Sequence, residues 1–330
     1  MKKIHLIWLL IGGAWFFALF VGPTATPPSH ILEAAFAEAP SEASMQTVNT
    51  VVQFRLPVAF QAFFAGGLLA VAGAILQTML QNPLAEPFVL GVSSAGALGI
   101  VIAAAAGAAG FLARTLASFA FGSAAMLFII AIPSLTKNGI TMNGVILTGI
   151  VLNAVLSAMT LLLQSLLDPF AFRHSIGLLM GRISLQSWGT ILPPLLLSIP
   201  FLAYAMRKHP ELDMLSIDQE HAATSGIAVQ KEQTLMILTS ALLTVITVSL
   251  CGIIGFVGLV GPHAVRFLAG HRHRQLLPYS FLAGGSFLLI AHTISTSLIH
   301  MTEIPLGAVT ALIGGPIFLC ILIRYGRKHD

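Results

Sequence analysis

The run Gln81-Asn82-Pro83-Leu84-Ala85-Glu86-Pro87, followed by Leu90-Gly91-Val92-Ser93-Ser94-Ala95-Gly96, sets an amide, a carboxylate and two prolines between two long apolar segments. These residue types form no nucleophile–base set. They do form a break. Proline removes a backbone donor and interrupts a helix. Irregular backbone at membrane depth survives only inside protein or along a wet cavity. The chemistry to expect is passage of a solute beside a packed hairpin, not the making of bonds.

Other chemistry-bearing residues are few. His263, His271 and His273 flank Arg266, Arg272 and Arg274. Histidines so spaced could ligate a metal, but the arginines would repel a cation, and a basic loop is the reading preferred. His292 is the clearest ionisable group within an apolar segment, with Arg114 near a segment end. Ion-driven carriers use intramembrane Asp, Glu or His relays, so this scarcity argues against ion coupling, and His292 reads as a packed, hydrogen-bonded residue. Cys251 and Cys320 both lie in apolar runs and suggest neither disulfide nor metal cluster. No P-loop, G-x-S-x-G, H-E-x-x-H or catalytic carboxylate pair occurs. If ATP supplies energy, another subunit binds it.

The elements that position these residues are membrane spans. The chain has 330 residues, 56% hydrophobic and 8% charged, with mean hydropathy +0.91. That composition excludes an ordinary soluble domain. Apolar runs predict ten spans, near 4–22, 58–80, 88–109, 111–133, 143–167, 189–206, 233–251, 252–270, 276–299 and 304–324, with the glycine-interrupted eighth the weakest. Ten spans put both termini on one side. The predicted inside holds Lys2, Lys3, Lys137, Arg207, Lys208, Lys231, Arg266, Arg272, Arg274, Arg324, Arg327 and Lys328, whereas Arg55, Arg114, Arg173 and Arg182 fall outside. This bias obeys the positive-inside rule with both termini cytoplasmic. Ala35-Phe36-Ala37 looks like a signal cleavage site but lies too far beyond the apolar run, so an uncleaved first span is expected.

Residues 1–330 therefore read as one transmembrane domain. Segment 1–22 is the first span, 23–57 an outer loop, 58–206 spans two to six, 207–232 an inner loop, and 233–330 spans seven to ten with a basic tail. Residues 23–50, rich in Pro, Ala, Ser and Glu, read as weakly ordered or loosely packed. In 168–188, Phe172, Ile176, Leu179 and Met180 recur at helical spacing and predict a surface amphipathic helix. In the inner loop, Ser216 is a reasonable N-cap, with Asp218, Gln219 and Glu220 in the first turn and Gly226 as the stop. One short helix over 217–225 follows, either a solvated connector or a docking helix for a cytoplasmic partner. The interruptions Gly73 to Gly91 and Gly252 to Gly270 occupy similar places in two five-span halves, the expected trace of an inverted repeat. The small residues at Gly66-Gly67, Ala70, Gly73 and Ala95 to Ala109 imply close helix packing.

With these residues in view, the chain resembles the FecCD-type, BtuC-like permeases, membrane subunits of type II ABC importers for iron–siderophores, haem and cobalamin. The resemblance rests on Asn82 to Pro87 with Leu90 to Ser94, on Gly255-Phe256-Val257-Gly258-Leu259-Val260-Gly261-Pro262-His263, on Leu212 to Gly226, and on Glu303 to Pro316, with Pro305, Gly307 and Pro316 inside it. It covers residue 53 to the C-terminus. It implies an all-α fold of ten spans in two inverted halves. It further implies a second permease subunit across a central pathway, two cytoplasmic ATPases carrying ATP and Mg, and an extracytoplasmic binding protein that delivers the ligand. Residues 216–226, with Ser216, Ile217, Asp218, Glu220, His221, Ala222 and Gly226, would then sit in a cleft of the ATPase. Asn82, Leu84, Met142 and Asn143 would lie at the cytoplasmic gate, and spans five and ten would line the path. Arg55 would dock the binding protein, although Val58 and Thr296 stand where the family often has arginine. The implied function is uptake of a metal chelate, iron(III)–siderophore first, with haem or cobalamin as alternatives, across a bacterial plasma membrane. An ion-coupled carrier or membrane-embedded enzyme would need a buried acidic relay or a converging nucleophile set, which the spacing does not provide. Nucleic acid is not an expected partner.

Overall fold

The computed structural model describes residues 2–21, 26–37, 41–108, 110–135, 142–167, 169–297 and 304–326. Helices account for the regular structure of the described residues. In chain order they are α1 (Lys2–Phe20), α2 (Pro28–Phe36), α3 (Glu42–Thr50), α4 (Leu56–Met79), α5 (Val92–Ala105), α6 (Phe111–Ser134), α7 (Met142–Ser165), α8 (Pro169–Leu179), α9 (Trp188–Arg207), α10 (His209–Ile217), α11 (Gln219–Thr224), α12 (Val229–Cys251), α13 (Val257–Ala269), α14 (His273–Ser297) and α15 (Leu306–Gly326). A helix occupies each of the ten apolar segments. Six of them, the continuous Glu42–Met79 and those over Phe111–Pro133, Gly144–Ser165, Trp188–Arg207, Val229–Cys251 and His273–Ser297, are long and apolar enough to cross a membrane. Four are shorter: Ile7–Phe20, Val92–Ala105, Val257–Ala269 and Leu306–Leu319.

The two shortest correct the expected boundaries. The run over 88–109 opens with a single 3-10 turn, Pro87–Leu90, before α5 begins. The run over 252–270 is unwound from Gly252 to Phe256, and only Val257–Ala269 is helical.

At the centre stands α4, with 89% of its most apolar window buried, against 78% for α12 and 17% for α7. Small residues place it there. A Cβ on Gly66 would strike the Gly284 carbonyl, and one on Gly73 the Gly258 carbonyl, so α4 meets α14 and α13 backbone to backbone. The polar side chains of α12 are quenched locally: Thr244 and Thr247 donate to the carbonyls of Ser240 and Leu243 at 2.8 and 2.9 Å. Ser240 crosses to the Ala72 carbonyl at 2.9 Å. In the apolar interior each such hydroxyl would otherwise cost free energy.

The segment read as weakly ordered or loosely packed holds two helices, α2 and α3, that pack on each other, and α2 buries no residue. Glu33 accepts from the Ser41 N–H at 3.0 Å and the Ser44 hydroxyl at 2.7 Å, while Ser41 caps α3 through the Ser44 N–H. Local capping overrides the low hydrophobicity of this stretch. Helix α8 forms as the 168–188 pattern predicts, with Phe172 exposed and Ser175 buried.

Replacing Gly73 by valine forces a side chain into the Gly258 carbonyl. The thermal unfolding midpoint in detergent should fall, in line with a loss of about 1–3 kcal/mol or more. Gly12→Val, where nothing lies within 4 Å, should leave it unchanged.

Candidate functional site

The hairpin at the end of α4 builds itself from short-range bonds. After the C-cap Leu80, Gln81 takes φ +48 and turns the chain out of the helix. The Asn82 N–H donates back to the Gln77 carbonyl at 3.1 Å, and its side-chain Oδ1 accepts from the Leu84 N–H at 2.9 Å. This is the self-contained turn that asparagine favours. Ala85 N–H reaches the Asn82 carbonyl at 3.0 Å, and Gly91, at φ +73, starts α5. Asn82, Pro83 and Leu84 are exposed at the tip, while Pro87 is buried.

The second interruption closes onto the first. Glu86 accepts from the Phe256 N–H at 2.6 Å, capping the start of α13. Gln77, 3% exposed, donates to the carbonyls of Gly258 at 3.1 Å and Ala85 at 3.4 Å, and its amide oxygen accepts from Arg266. His263 and the Pro83 carbonyl lie 2.8 Å apart. A carbonyl only accepts, so His263 Nε2 carries the hydrogen. A Cβ on Gly258 would come within 2.8 Å of Pro87, and Pro262 is buried in α13. Gly314 of α15 packs on Phe256, which holds φ +68. Gly307 N–H donates to the Met180 carbonyl at 3.0 Å, and Pro305 supplies the carbonyl that opens α15. Pro316 sits inside α15 on an exposed face. Helix α7 joins at Gly149, against Leu90, and at Asn153, which accepts from Ser94.

This geometry corrects the basic-loop reading. His263 lies in α13 and is half-buried, and His273 opens α14 at 2% exposure; of the three histidines, only His271 is exposed. Among the described residues no cluster of three His, Cys, Asp or Glu side chains could hold a metal. Sequence reading missed Gln77, Arg266, His263 and Phe256 as partners of the hairpin. Polarity in an apolar run was the sequence signal of Gln77, Arg266 and His263, whereas Phe256 takes part through its backbone N–H, which carries none.

The inner loop also differs from expectation. Two helices, α10 and α11, replace the single helix over 217–225, and Asp218 (φ −161) separates them. Asp218, not Ser216, is the N-cap: its carboxylate accepts from the Glu220 N–H at 3.1 Å, whereas the Ser216 hydroxyl turns back to the Asp213 carbonyl at 2.7 Å. Burial of Leu212 and Leu215 starts the first helix eight residues early. Gly226 is the stop as read, at φ +86, with its N–H on the Ala223 carbonyl at 3.0 Å and that of Ile227 on Ala222 at 3.1 Å. Ser216, Asp218, Glu220 and His221 are exposed and Ile217 is 75% exposed, but Ala222 is fully buried and presents no docking surface. Met214, 41% exposed, adds an apolar contact the sequence reading did not select. The base is clamped: Lys208 binds Glu211 at 2.7 Å and Glu232 at 2.9 Å, which lifts its ammonium above the ordinary lysine range.

At the opposite end, Arg55 is half-buried and donates to the Leu19 carbonyl at 2.9 Å, closing the last turn of α1. That bond ties α1 to the start of α4. Val58 is buried and Thr296 bonds back to the His292 carbonyl at 3.0 Å. Met142 and Asn143 begin α7, and their side chains lie outside the described residues, as does Glu303.

A polytopic helical bundle, interrupted at two interlocked points and carrying a clamped helix pair at one end, defines a membrane permease. The profile of the FecCD transport family matches residues 9–324, and the chain belongs to that family, the BtuC-like permeases of type II ABC importers. The chain is 31% identical over 322 residues to the iron(3+)-hydroxamate import system permease protein FhuG of Bacillus subtilis, covering 96% of this chain and 95% of that one. It is 36% identical over 282 residues to the cobalamin import system permease protein BtuC of Halobacterium salinarum, covering 84% and 74%. A solved structure described as an inward-facing metal-chelate type ABC transporter superposes with a TM-score of 0.80 at 28% identity, covering 98% of both chains.

Desolvation raises the Glu86 carboxyl above the ordinary carboxylate range, and the Phe256 N–H opposes it only in part. The folded state therefore holds this proton more tightly than the unfolded chain. The associated stability is present at and below the ordinary carboxylate range and is lost as pH rises through the folded value. Glu86→Gln keeps an acceptor for Phe256 and should remove this step from a series of unfolding midpoints taken from about pH 4 to 8.

Proposed function

We propose that this chain is the membrane-spanning subunit of an ATP-driven importer that carries a metal chelate, iron(III)–siderophore, into the cytoplasm across a bacterial plasma membrane. The observation that carries the reading is the α10–α11 pair, anchored at its base by Leu212, Leu215 and the Lys208 clamp, with Met214, Ile217, Glu220 and His221 left to solvent. A rigid base with an exposed apolar and charged tip suits docking into a cleft. Two cytoplasmic ATPases, which would hold ATP and Mg, take these tips. The chain itself supplies no ATP site in this reading.

The remaining roles follow from family membership. A second permease subunit, a copy or a related chain, faces this one across the pathway, with α7 and α15 toward it. The low burial of α7 fits such a neighbour. The ten helices in the apolar segments cross the bilayer with both termini inside. Asn82 and Leu84, exposed at the hairpin tip, stand at the cytoplasmic gate, and Met142 and Asn143 at the start of α7 complete it in this reading. A loaded binding protein settles at the other end, near Arg55 and the α2–α3 hairpin. ATP binding displaces α11, the hairpin yields, and the ligand descends. An ion-coupled carrier is the weaker reading. Among described residues the half-buried carboxylates next to the spans include Glu86 and Glu232, and they are engaged by Phe256 and Lys208. The iron chelate is the ligand we put first, in keeping with the likeness to FhuG over 95% of that relative.

In proteoliposomes, uptake should require the partner ATPase and ATP; accumulation that persists without the ATPase would refute the scheme. Offering iron(III)–trihydroxamate, haemin and cyanocobalamin to the binding protein selects among the ligands, with the ferric chelate expected to bind.

The tip can be tested separately. Gly226→Val meets no neighbour within 4 Å and acts only through its left-handed backbone, at about 1–2 kcal/mol. Ile217→Asp removes the apolar contact. Each should lower stimulation of the ATPase several-fold while insertion in the membrane stays normal.

A further inference from the structure

We infer that Asp213, His273 and Thr78 form a strut that carries displacement of α10–α11 to the hairpin, making Asp213 and His273 positioning residues of the transport cycle. The inference rests on the importer reading above and adds the route of force to it.

His273 is 2% exposed and stands where α10, α14 and the end of α4 meet. One carboxylate oxygen of Asp213 accepts both from its backbone N–H and from its ring Nδ1, each at 2.7 Å. A carboxylate only accepts, so Nδ1 carries a hydrogen. The other ring nitrogen, Nε2, lies 2.7 Å from the Thr78 hydroxyl. The Thr78 hydroxyl also donates to the Ala74 carbonyl at 3.0 Å, so a neutral ring shares its proton with that carbonyl, whereas a charged ring donates to the hydroxyl oxygen.

Thr78 is the last residue but one of α4, and its neighbour Gln77 holds the Ala85 carbonyl of the hairpin, the Gly258 carbonyl of α13 and Arg266. A shift at Asp213 thus reaches, through one imidazole, the residue pair that gathers both interruptions. The route along the chain is softer. It runs from α11 through Ser225, the left-handed Gly226 and Ala228, all exposed, before α12 begins. Stiff, fully bonded contacts transmit displacement, whereas an exposed turn absorbs it.

The test uses the whole transporter in proteoliposomes, with ATP hydrolysis and uptake measured together. The probe is whichever of iron(III)–trihydroxamate, haemin or cyanocobalamin the wild type accumulates. A wild type that hydrolyses ATP but accumulates none of them brings down the importer reading and this inference with it. Where the wild type transports, Asp213→Ala and Thr78→Val should each leave hydrolysis within about twofold and cut uptake per ATP by about tenfold. The double variant should be no worse than either single one, because both cut the same linkage. Asp213→Asn keeps the accepting oxygen and should restore coupling to within about twofold. Wild-type uptake by Thr78→Val, additive losses in the double variant, or a parallel fall of hydrolysis and uptake in Asp213→Ala would overturn it. Thr78→Val is nearly isosteric, so it decides the matter even where Asp213→Ala fails to insert.

Discussion

Two broken stretches of backbone inside an apolar bundle can exist only if their polar groups find partners, and in this protein they find them largely in each other. Breaking a helix frees amide and carbonyl groups at both new ends. Each would cost several kcal/mol in a medium without water. Here the Phe256 N–H is taken by Glu86, the Gly258 and Ala85 carbonyls by Gln77, and the Pro83 carbonyl by His263. The hairpin and the unwound start of α13 are therefore one unit, although some 170 residues separate them in sequence.

That exchange of bonds depends on how closely the helices approach. Gln77 reaches the Gly258 carbonyl because Gly73, one turn earlier, lets the two backbones touch. Gly66 and Gly284 set the same spacing between α4 and α14, which brings His273 to Thr78. The small residues do more than fill space in a bilayer where apolar packing has no solvent-driven advantage. They fix the distances over which the few polar side chains must act.

Much of this was legible in the sequence, and the part that was not has a common cause. Apolar runs located a helix in each of ten segments because hydropathy reports what the bilayer requires. Proline and glycine marked the breaks, and Gly226 marked a helix stop, because both act through their own backbone. Capping at the inner loop was misplaced: Ser216 was read as the cap, but the burial of Leu212 and Leu215 carries the first helix past it and leaves the cap to Asp218. The partners of Glu86, His263 and His273 were invisible because pairing across 170 to 195 residues leaves no local pattern. The Arg55 tie to α1 was hidden because its acceptor, the Leu19 carbonyl, is a backbone group carrying no signature. The α2–α3 hairpin escaped because composition does not register a cap formed by Glu33 on Ser41 and Ser44.

The two interruptions are alike in one further respect. Each ends in a residue with left-handed backbone, Gly91 before α5 and Phe256 before α13, and each releases a helix too short to rank with the six long apolar ones. Glycine adopts that conformation freely, whereas phenylalanine pays on the order of 1 kcal/mol or more. Its ring is retained because Gly314 of α15 leaves room for it and Glu86 holds its amide. The strain thus sits where the hairpin, α13 and α15 converge, locked by a single carboxylate. Loss of the Glu86 contact would leave the strained Phe256 amide without that acceptor, while Gln77 and His263 still tie the hairpin to α13.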